Sequence, residues 1–418
     1  NLITDDPAYR YAPFWSVGAS WQIANEAFMQ QVDWIDGLAL RFTYGYNGNV
    51  DKSTTFKPLV NISSSPNTVT GELTGSMSSY GNPTLRWERT GTWDIGVDFN
   101  LFKGKLYGKF DVYSKHSEDL IADVTLSAVQ GTTSMRLNNG EILNRGFEME
   151  VGSTLRISPN VTWNGVLTLS YNKNRIKSLQ VKPTNAYDLV YVGGSTAWME
   201  GYDMNTLWTY KYGGLQNVGT ASSPDWQPTI LHKSGLYETF ATWPTGDPMD
   251  CSYAMGTTVA PWNMSFSTSF RVYDFDISMI VTGKFGHKFL RESFNYPSVS
   301  GRAVPNDKYS EVKNCDPNKI IPLPQNEIET RYYFWDRFYP YMSYLSESAS
   351  HIRLQEFSVG YNLPKKVVAK IGMKSLQVYA QCNNPFNIYF NGYGEDPEFA
   401  KGTIRLQASY TFGIKCKF

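Results

Sequence analysis

No run of about 18 apolar residues occurs anywhere in the chain, so no transmembrane helix is expected. The 418 residues show no excess of either charge, with 38 Lys and Arg against 38 Asp and Glu, and so leave no basic footprint for nucleic acid. Cysteine is scarce. Cys251, Cys315, Cys382 and Cys416 show no CxxC spacing and no accompanying histidine cluster, so no metal centre is expected. Cys382 and Cys416 fall in strand-like stretches and read as small apolar fillers. Cys251 and Cys315 fall in loop-like stretches, where a disulfide between them stays open. The histidines, His116, His232, His287 and His351, are scattered, without HExxH and without a GxSxG serine. Gly193-Gly194 and Gly213-Gly214 lack the Lys-Ser/Thr of a phosphate loop. Glu148 and Glu150 share a strand face at i and i+2. A glycosidase pair has that spacing, but so does charge lining a watery interior, the simpler reading while no site geometry is shown. Neither catalysis nor a cofactor is expected.

Aromatics are abundant: 28 Tyr, 23 Phe and 12 Trp make 15% of the chain. That excess suits girdles at two membrane interfaces, and a carbohydrate-binding β protein equally. The chain is organised around its last stretch, 403–418. Counting back by twos, Phe418, Cys416, Ile414, Phe412, Tyr410, Ala408, Leu406 and Ile404 are all apolar or aromatic, and the residues between them are not large and apolar. Side chains alternate faces in a strand, so this predicts one long strand with a greasy and a wet face. A soluble sandwich could end this way. So could an outer-membrane barrel, and a terminal Phe resembles the closing strand of such barrels, where Tyr410, Phe412 and Phe418 would form the assembly signal.

The same alternation recurs at Leu38 to Tyr46, Trp93 to Leu101, Phe147 to Ile157, Val161 to Tyr171, Trp262 to Val272, Phe275 to Phe285 and Leu376 to Cys382. About twelve strands are expected, with a β-bulge where the phase slips between Gln355 and Phe357, and one short helix near Lys365–Ile371. The polar faces carry Asp94, Asp98, Glu148, Glu150, Arg156, Asp274 and Asp276, awkward inside a sandwich but suited to a water-filled lumen. Tight turns are expected at Lys103-Gly104-Lys105, Ser158-Pro159-Asn160 and Tyr273-Asp274. Long links are expected at about 47–85, 174–261 and 286–351. Short turns at one end and long loops at the other make the outer-membrane pattern, and loops this long are usually functional. The fold class expected is all-β, with a transmembrane antiparallel β-barrel favoured over a soluble sandwich.

Several motifs then converge. GNPTLRW at Gly81–Trp87 runs into a W-E strand ending near Ile121, with G-x-D-F and D-x-Y-x-K patterns on the way. LNNGEILNRGFEME spans Leu137–Glu150. SVGASWQIANEAFM spans Ser16–Met29, HIRLQEFSVGYNLP spans His351–Pro364, NNPF stands at Asn383–Phe386, and D-P-E lies within Gly394–Glu398. In this order they resemble the SusC/RagA-type TonB-dependent transporters of Bacteroidetes. The departures are small: His351 stands where an aromatic is usual, and Asn384-Pro385 where Asn-Leu is usual.

The resemblance implies the C-terminal half of a large plugged barrel of the roughly 22-stranded type, with residues 1–418 all wall and loops and the plug domain preceding Asn1. It implies energised import of an oligosaccharide or a peptide, with TonB acting through the missing N-terminal region and a SusD-like surface lipoprotein as lid, in a paired assembly of two barrels and two lids embedded in outer-membrane lipid. The candidate ligand-contacting residues are the loop aromatics Trp198, Trp208, Trp226, Tyr237, Trp243 and Trp335, since aromatic faces stack on sugar rings and contact peptides alike. The plainer role for each is packing within the loops. Three other readings stay open: a self-contained barrel acting as passive porin or membrane-embedded hydrolase, a soluble carbohydrate-binding β protein, and a signalling member of the transporter family.

Overall fold

The computed structural model describes residues 13–49, 57–126, 129, 134–240, 244, 246–292, 315–317, 319–320, 338–370, 372–399 and 404–418. Eleven strands form one antiparallel sheet in simple chain order. They are β1 (Trp15–Gln22), β2 (Ile35–Asn49), β3 (Glu88–Leu101), β4 (Leu106–Thr125), β5 (Ser134–Ser158), β6 (Val161–Leu179), β7 (Trp262–Val272), β8 (Phe275–Phe285), β9 (His351–Asn362), β10 (Ser375–Tyr389) and β11 (Ser409–Lys417). Among the described residues β1 pairs only with β2 and β11 only with β10, so the sheet is an open curved wall.

Register makes the two faces. Leu40, Val97, Phe110, Met149, Leu169 and Met264 are successive partners across β2 to β7. One residue along, Ala39, Asp98, Lys109, Glu150, Thr168 and Ser265 form the next row. With a side-chain period of two, every strand puts its apolar set on the same side. That side is uncovered: Leu40, Phe42, Ile95, Phe110, Phe270 and Phe412 are all exposed. A soluble sandwich would bury this face under a second sheet, so that reading does not hold; a contiguous apolar face of this extent is a lipid face.

Aromatic contacts mark two levels on the lipid face. Phe147, Tyr171 and Trp262 cluster at the long-loop end, with Tyr171 and Trp262 centroids 4.5 Å apart. Trp163–Phe270 and Phe275–Tyr361 lie toward the short-turn end. Trp163 and Tyr171 are eight residues apart on β6, roughly 26 Å along a strand rising about 3.3 Å per residue, or about 20 Å of height at the usual tilt of about 35–45°, comparable to an apolar band about 25 Å tall between girdles. The indole N–H of Trp163 donates to the Thr268 hydroxyl at 2.8 Å, so these two polar groups satisfy each other where lipid offers no partner.

The three tight turns form as expected, and the helix runs Lys365–Lys370. The bulge at Gln355 is also present: Leu354 and Glu356 pair with Phe386 and Asn383, leaving Gln355 opposite Asn384-Pro385. The same irregularity corrects the expected long last strand. β11 covers only Ser409–Lys417, because the ladder stops at the Asn383–Ser409 pair. Beyond it Asn384 takes a positive φ of 50°, and Pro385 has no N–H to donate. Ile404, Leu406 and Ala408 therefore precede the strand, and Phe418 follows it. Among the described residues the wall has eleven strands against the roughly twelve expected, with additional short strands paired in the loops. The long links are 50–87, 180–261 and 286–350, and a further one, 390–408, was not anticipated.

Candidate functional site

On the wet face, cations and carboxylates interlock across strands. Arg41 reaches Asp98 at 2.7 Å and Asp111 at 2.8 Å, passing over Gly96. A Cβ on Gly96 would lie 2.2 Å from Asp111 Oδ1, so only glycine leaves room for the bridge. Arg271 pairs with Asp276 at 2.8 Å, and Asp276 also accepts from Asn362 and Gln377. Arg271, Asp276 and Gln377 line a groove of about 470 Å³ that also includes Asn164, Glu356 and Lys415. A polar, charged lining of this kind fits a lumen.

Over the long-loop end the two longest links fold together. Leu189, Trp208, Tyr210, Ile230, Phe240 and Cys251 of the first pack with Phe338, Tyr339 and Met342 of the second in one buried core. A second cluster joins Trp198 to Ile142 and Ile176, which share the face of the lumen-lining Asn172 and Asn174. Main-chain bonds reinforce it: the Ile176 N–H donates to Tyr202 O, the Gly201 N–H donates to Ile176 O, and the Met204 N–H donates to Asn174 Oδ1, all at 2.8–2.9 Å. The loops are thus a small folded unit seated on the lumen side of β4–β6. Cys251 and Cys315 are both free, so no disulfide links the two loops. Burial pushes the Cys251 thiol up to about 12, and it acts as a core side chain.

The predicted aromatics separate by burial. Trp198 and Trp208 are buried, at 8% and 3% exposure, and the Trp208 indole donates to Ala197 O at 3.0 Å. They meet in the wall of one cavity of about 430 Å³, whose rim includes Gly193, Gly194, Thr258 and Tyr341. Gly193 and Gly194 have φ of 66° and 62°, and nothing lies within 4 Å of where a Cβ would be, so this rim is bare backbone. Trp226 and Tyr237 are exposed, at 61% and 52%, on the three-stranded sheet built from Tyr212–Asn217, Trp226–Leu231 and Tyr237–Thr239. Tyr237 lines a second cavity of about 710 Å³ with His232, Lys233, Glu238, Asp247 and Asp250. There His232 sits between Asp250 at 3.0 Å and Glu238 at 3.2 Å. The Ser234 hydroxyl and N–H, then His232, hold the Asp250 carboxyl below its usual range. Trp243 and Trp335 lie outside the described residues. Tyr410, Phe412 and Phe418 are exposed, and the first two share the lipid-side parity of Ile414.

Residue-type patterns missed a charged latch. Arg353 on β9 reaches Asp396 at 3.2 Å and Glu398 at 2.9 Å, Lys284 also pairs with Glu398, and Tyr389 donates to Asp396 at 2.9 Å. Arg291 pairs with Glu395 at 3.2 Å. The D-P-E stretch was legible as a motif; its basic partners Arg353 and Lys284, 43 to 114 residues away in sequence, were not. His287 lies beside this latch, its Nδ1 without a partner among the described residues. Burial, then His351 and Lys284, lower its pKa to about 4. The unfolded chain thus binds a proton below about 6.5 that the folded chain refuses until about 4. Stability from this group is full at neutral pH and falls as pH drops through that window, by at most about 1.4 kcal/mol per pH unit. Denaturant titration of wild type and His287→Gln at several pH values should show a flatter decline for the variant; parallel curves would contradict it.

An open antiparallel meander with an uncovered apolar face, aromatic bands at two levels, a charged inner lining and long loops at one end defines the wall of an outer-membrane β-barrel. The chain belongs to the TonB dependent receptor-like β-barrel family, whose model matches residues 4–384. Within it the chain is of the SusC/RagA type. It is 27% identical over 412 residues to TonB-dependent receptor P26 of Formosa agariphila, covering 92% of this chain and 38% of that one. It is 25% identical over 417 residues to TonB-dependent receptor SusC of Bacteroides thetaiotaomicron, covering 94% and 38%. The fold is similar to the structure of the RagAB peptide transporter, with a TM-score of 0.74 at 21% identity, covering 99% of this chain and 44% of that one. The chain thus spans well under half the length of these relatives.

Proposed function

We propose that this chain is the wall, lumen lining and ligand-receiving mouth of an importer energised through TonB, which takes up an oligosaccharide or peptide with a SusD-like surface lipoprotein. The observation that carries this reading is the folded loop unit over the lumen side, with a cavity walled by Trp198 and Trp208 and rimmed by bare glycine backbone. A pore with freely open loops would need no such core. One relative is named SusC, and a similar fold is titled a peptide transporter, which supports import and leaves the ligand class between glycan and peptide. The plug, the TonB-contacting segment and the remaining wall strands would come from the rest of a longer polypeptide. Trp198, Trp208, Trp226 and Tyr237 would contact ligand, with Trp243 and Trp335 as further candidates. Tyr410, Phe412 and Phe418 would direct barrel assembly, and two barrels with two lids would pair.

The test has two parts. Purification of the complete polypeptide in detergent should yield a chain far larger than 47.4 kDa together with a surface lipoprotein. A lone chain of that mass would overturn energised import in favour of a self-contained barrel. Thr258→Trp, which fills the first cavity from its rim without replacing a buried core residue, should cut ligand uptake at least tenfold while the barrel keeps its heat-shifted gel mobility, since a site of this size loses its ligand when its volume is taken. Unchanged uptake would remove this cavity from the ligand path.

A further inference from the structure

On β6 the lipid-facing series Leu167, Leu169, Tyr171 continues beyond the aromatic level as Lys173 and Arg175, with Lys177 following at a register shift. All three are exposed, while Asn174 and Ile176 between them are buried on the lumen side. On β5 the series Val151, Met149, Phe147 continues as Arg145, also exposed. Arg145 and Lys173 are direct register partners. Like charges placed opposite each other across an antiparallel pair repel, and among the described residues none of these four side chains has a carboxylate partner or hydrogen bond. Other cations are treated differently: Arg41, Arg271 and Arg353 on the inner face and Arg89 on the outer each hold a carboxylate. Two acids on the outer side are engaged elsewhere: Glu118 holds Arg89 at 3.1 Å and flanks His116 at 3.8 Å, and Glu141 lies 3.5 Å from His116.

Height identifies the missing anion. Arg145 and Lys173 stand two residues beyond the Phe147–Tyr171–Trp262 cluster, roughly 6–7 Å along the strand. The interfacial layer extends about 5–7 Å past the hydrocarbon on each side. Long loops lie at the cell surface in this architecture, so Arg145 and Lys173 sit among the headgroups of the outer leaflet, with Arg175 and Lys177 two and four residues farther out along β6. We propose that Arg145, Lys173, Arg175 and Lys177 form a lipid site that binds the phosphate groups of an outer-leaflet glycolipid. The anion relieves the Arg145–Lys173 repulsion, while the glycolipid's acyl chains lie on the apolar band below. The site fixes the height of this side of the barrel and acts independently of whatever ligand is imported.

The complete transporter in nanodiscs supplies the test, with retained lipid counted by native mass spectrometry. Bisphosphorylated lipid A in phosphatidylethanolamine is compared with the same lipid A stripped of both phosphates. Wild type should retain the phosphorylated form, and retention should fall by roughly tenfold or more, in keeping with the strength of basic side chains at an anionic surface, on removing the phosphates or in Arg145→Gln/Lys173→Gln/Arg175→Gln/Lys177→Gln. The charge-conserving exchange Arg145→Lys/Lys173→Arg/Arg175→Lys/Lys177→Arg should keep most of it. Should the glutamine variant lose its heat-shifted mobility, a salt titration of wild type decides instead: retention must fall as salt screens the contact. Equal retention of phosphate-free lipid, equal retention by a folded glutamine variant, or indifference to salt would each overturn the site. Displacement of lipid A by millimolar inorganic phosphate would reassign the patch to small anions and overturn the lipid reading.

Discussion

Leu167→Arg should destabilise the barrel by about 2–4 kcal/mol, the cost of a cation at the bilayer midplane on a lipid-facing strand position. Leu167 lies midway between Trp163 and Tyr171 on β6, the two residues that mark the ends of the apolar band, and its partners Val151 and Phe266 are apolar too. Thr168→Arg, one residue along, should cost far less. Its neighbours there are Glu150 and Ser265, and Lys109 already pairs with Glu150 at 3.7 Å on that face. Leu169→Arg, two residues nearer Tyr171, should fall between the two, because the penalty declines toward about 0–1 kcal/mol at the interface. Denaturant unfolding of the complete barrel in lipid vesicles checks all three. Equal penalties at Leu167 and Thr168 would mean that the faces are assigned wrongly.

That prediction was available before any coordinates, because strand periodicity writes the two faces directly into the sequence. The alternation through Trp262 to Val272 gave β7 both its limits, while that through Val161 to Tyr171 gave β6 its start and stopped short of its end at Leu179; register added that their apolar residues align into rows. Local irregularities were legible where they disturbed the period, as at Gln355. Asn384-Pro385 was noticed as a departure from the motif, and its consequence, the early end of the β10–β11 ladder, depends on a positive φ that alternation does not encode. The loops were the opposite case. Their length announced function, but their fold rests on contacts between links more than 100 residues apart, such as Tyr210 against Phe338. Trp198 and Trp208 were legible as candidate ligand residues, while their burial, and their meeting in one cavity wall, came from that packing. The outward cations were missed because each strand was followed only as far as its apolar run. Lys173 and Arg175 keep the same two-residue period, but the chemistry changes at Tyr171.

Arg353→Met should cost about 3–5 kcal/mol, more than the lipid-face substitution, because it strips the cation from Asp396, a carboxylate that has no water to turn to. Arg353 and Asp396 are 2% and 1% exposed at their side chains, and Arg353 also holds Glu398. Asp396 would keep the Tyr389 hydroxyl and the Glu398 N–H, which stabilise the charge only in part. The loss should be felt first in the link 390–408, where Asn391 orders the turn by accepting from the Tyr393 and Glu395 N–H groups, and Arg291 and Arg353 tie it to the wall. Hydrogen exchange should therefore accelerate in 391–399 before the strands β8 to β10 are affected. The double substitution Arg353→Met/Asp396→Leu should recover much of the loss, since replacing a buried pair with apolar groups of similar size is often close to neutral. A double-mutant cycle separates the interaction from the desolvation that opposes it. If the single and double variants were equally unstable, Arg353 would be acting through its packing over the Phe399 ring, at 5.8 Å, rather than through its charge. The latch matters beyond stability because it joins the wall to the last loop from inside the lumen. A ligand reaching the lumen from the long-loop side would pass a loop fixed in place by buried charge, and a barrel that lost it should unfold at that rim first.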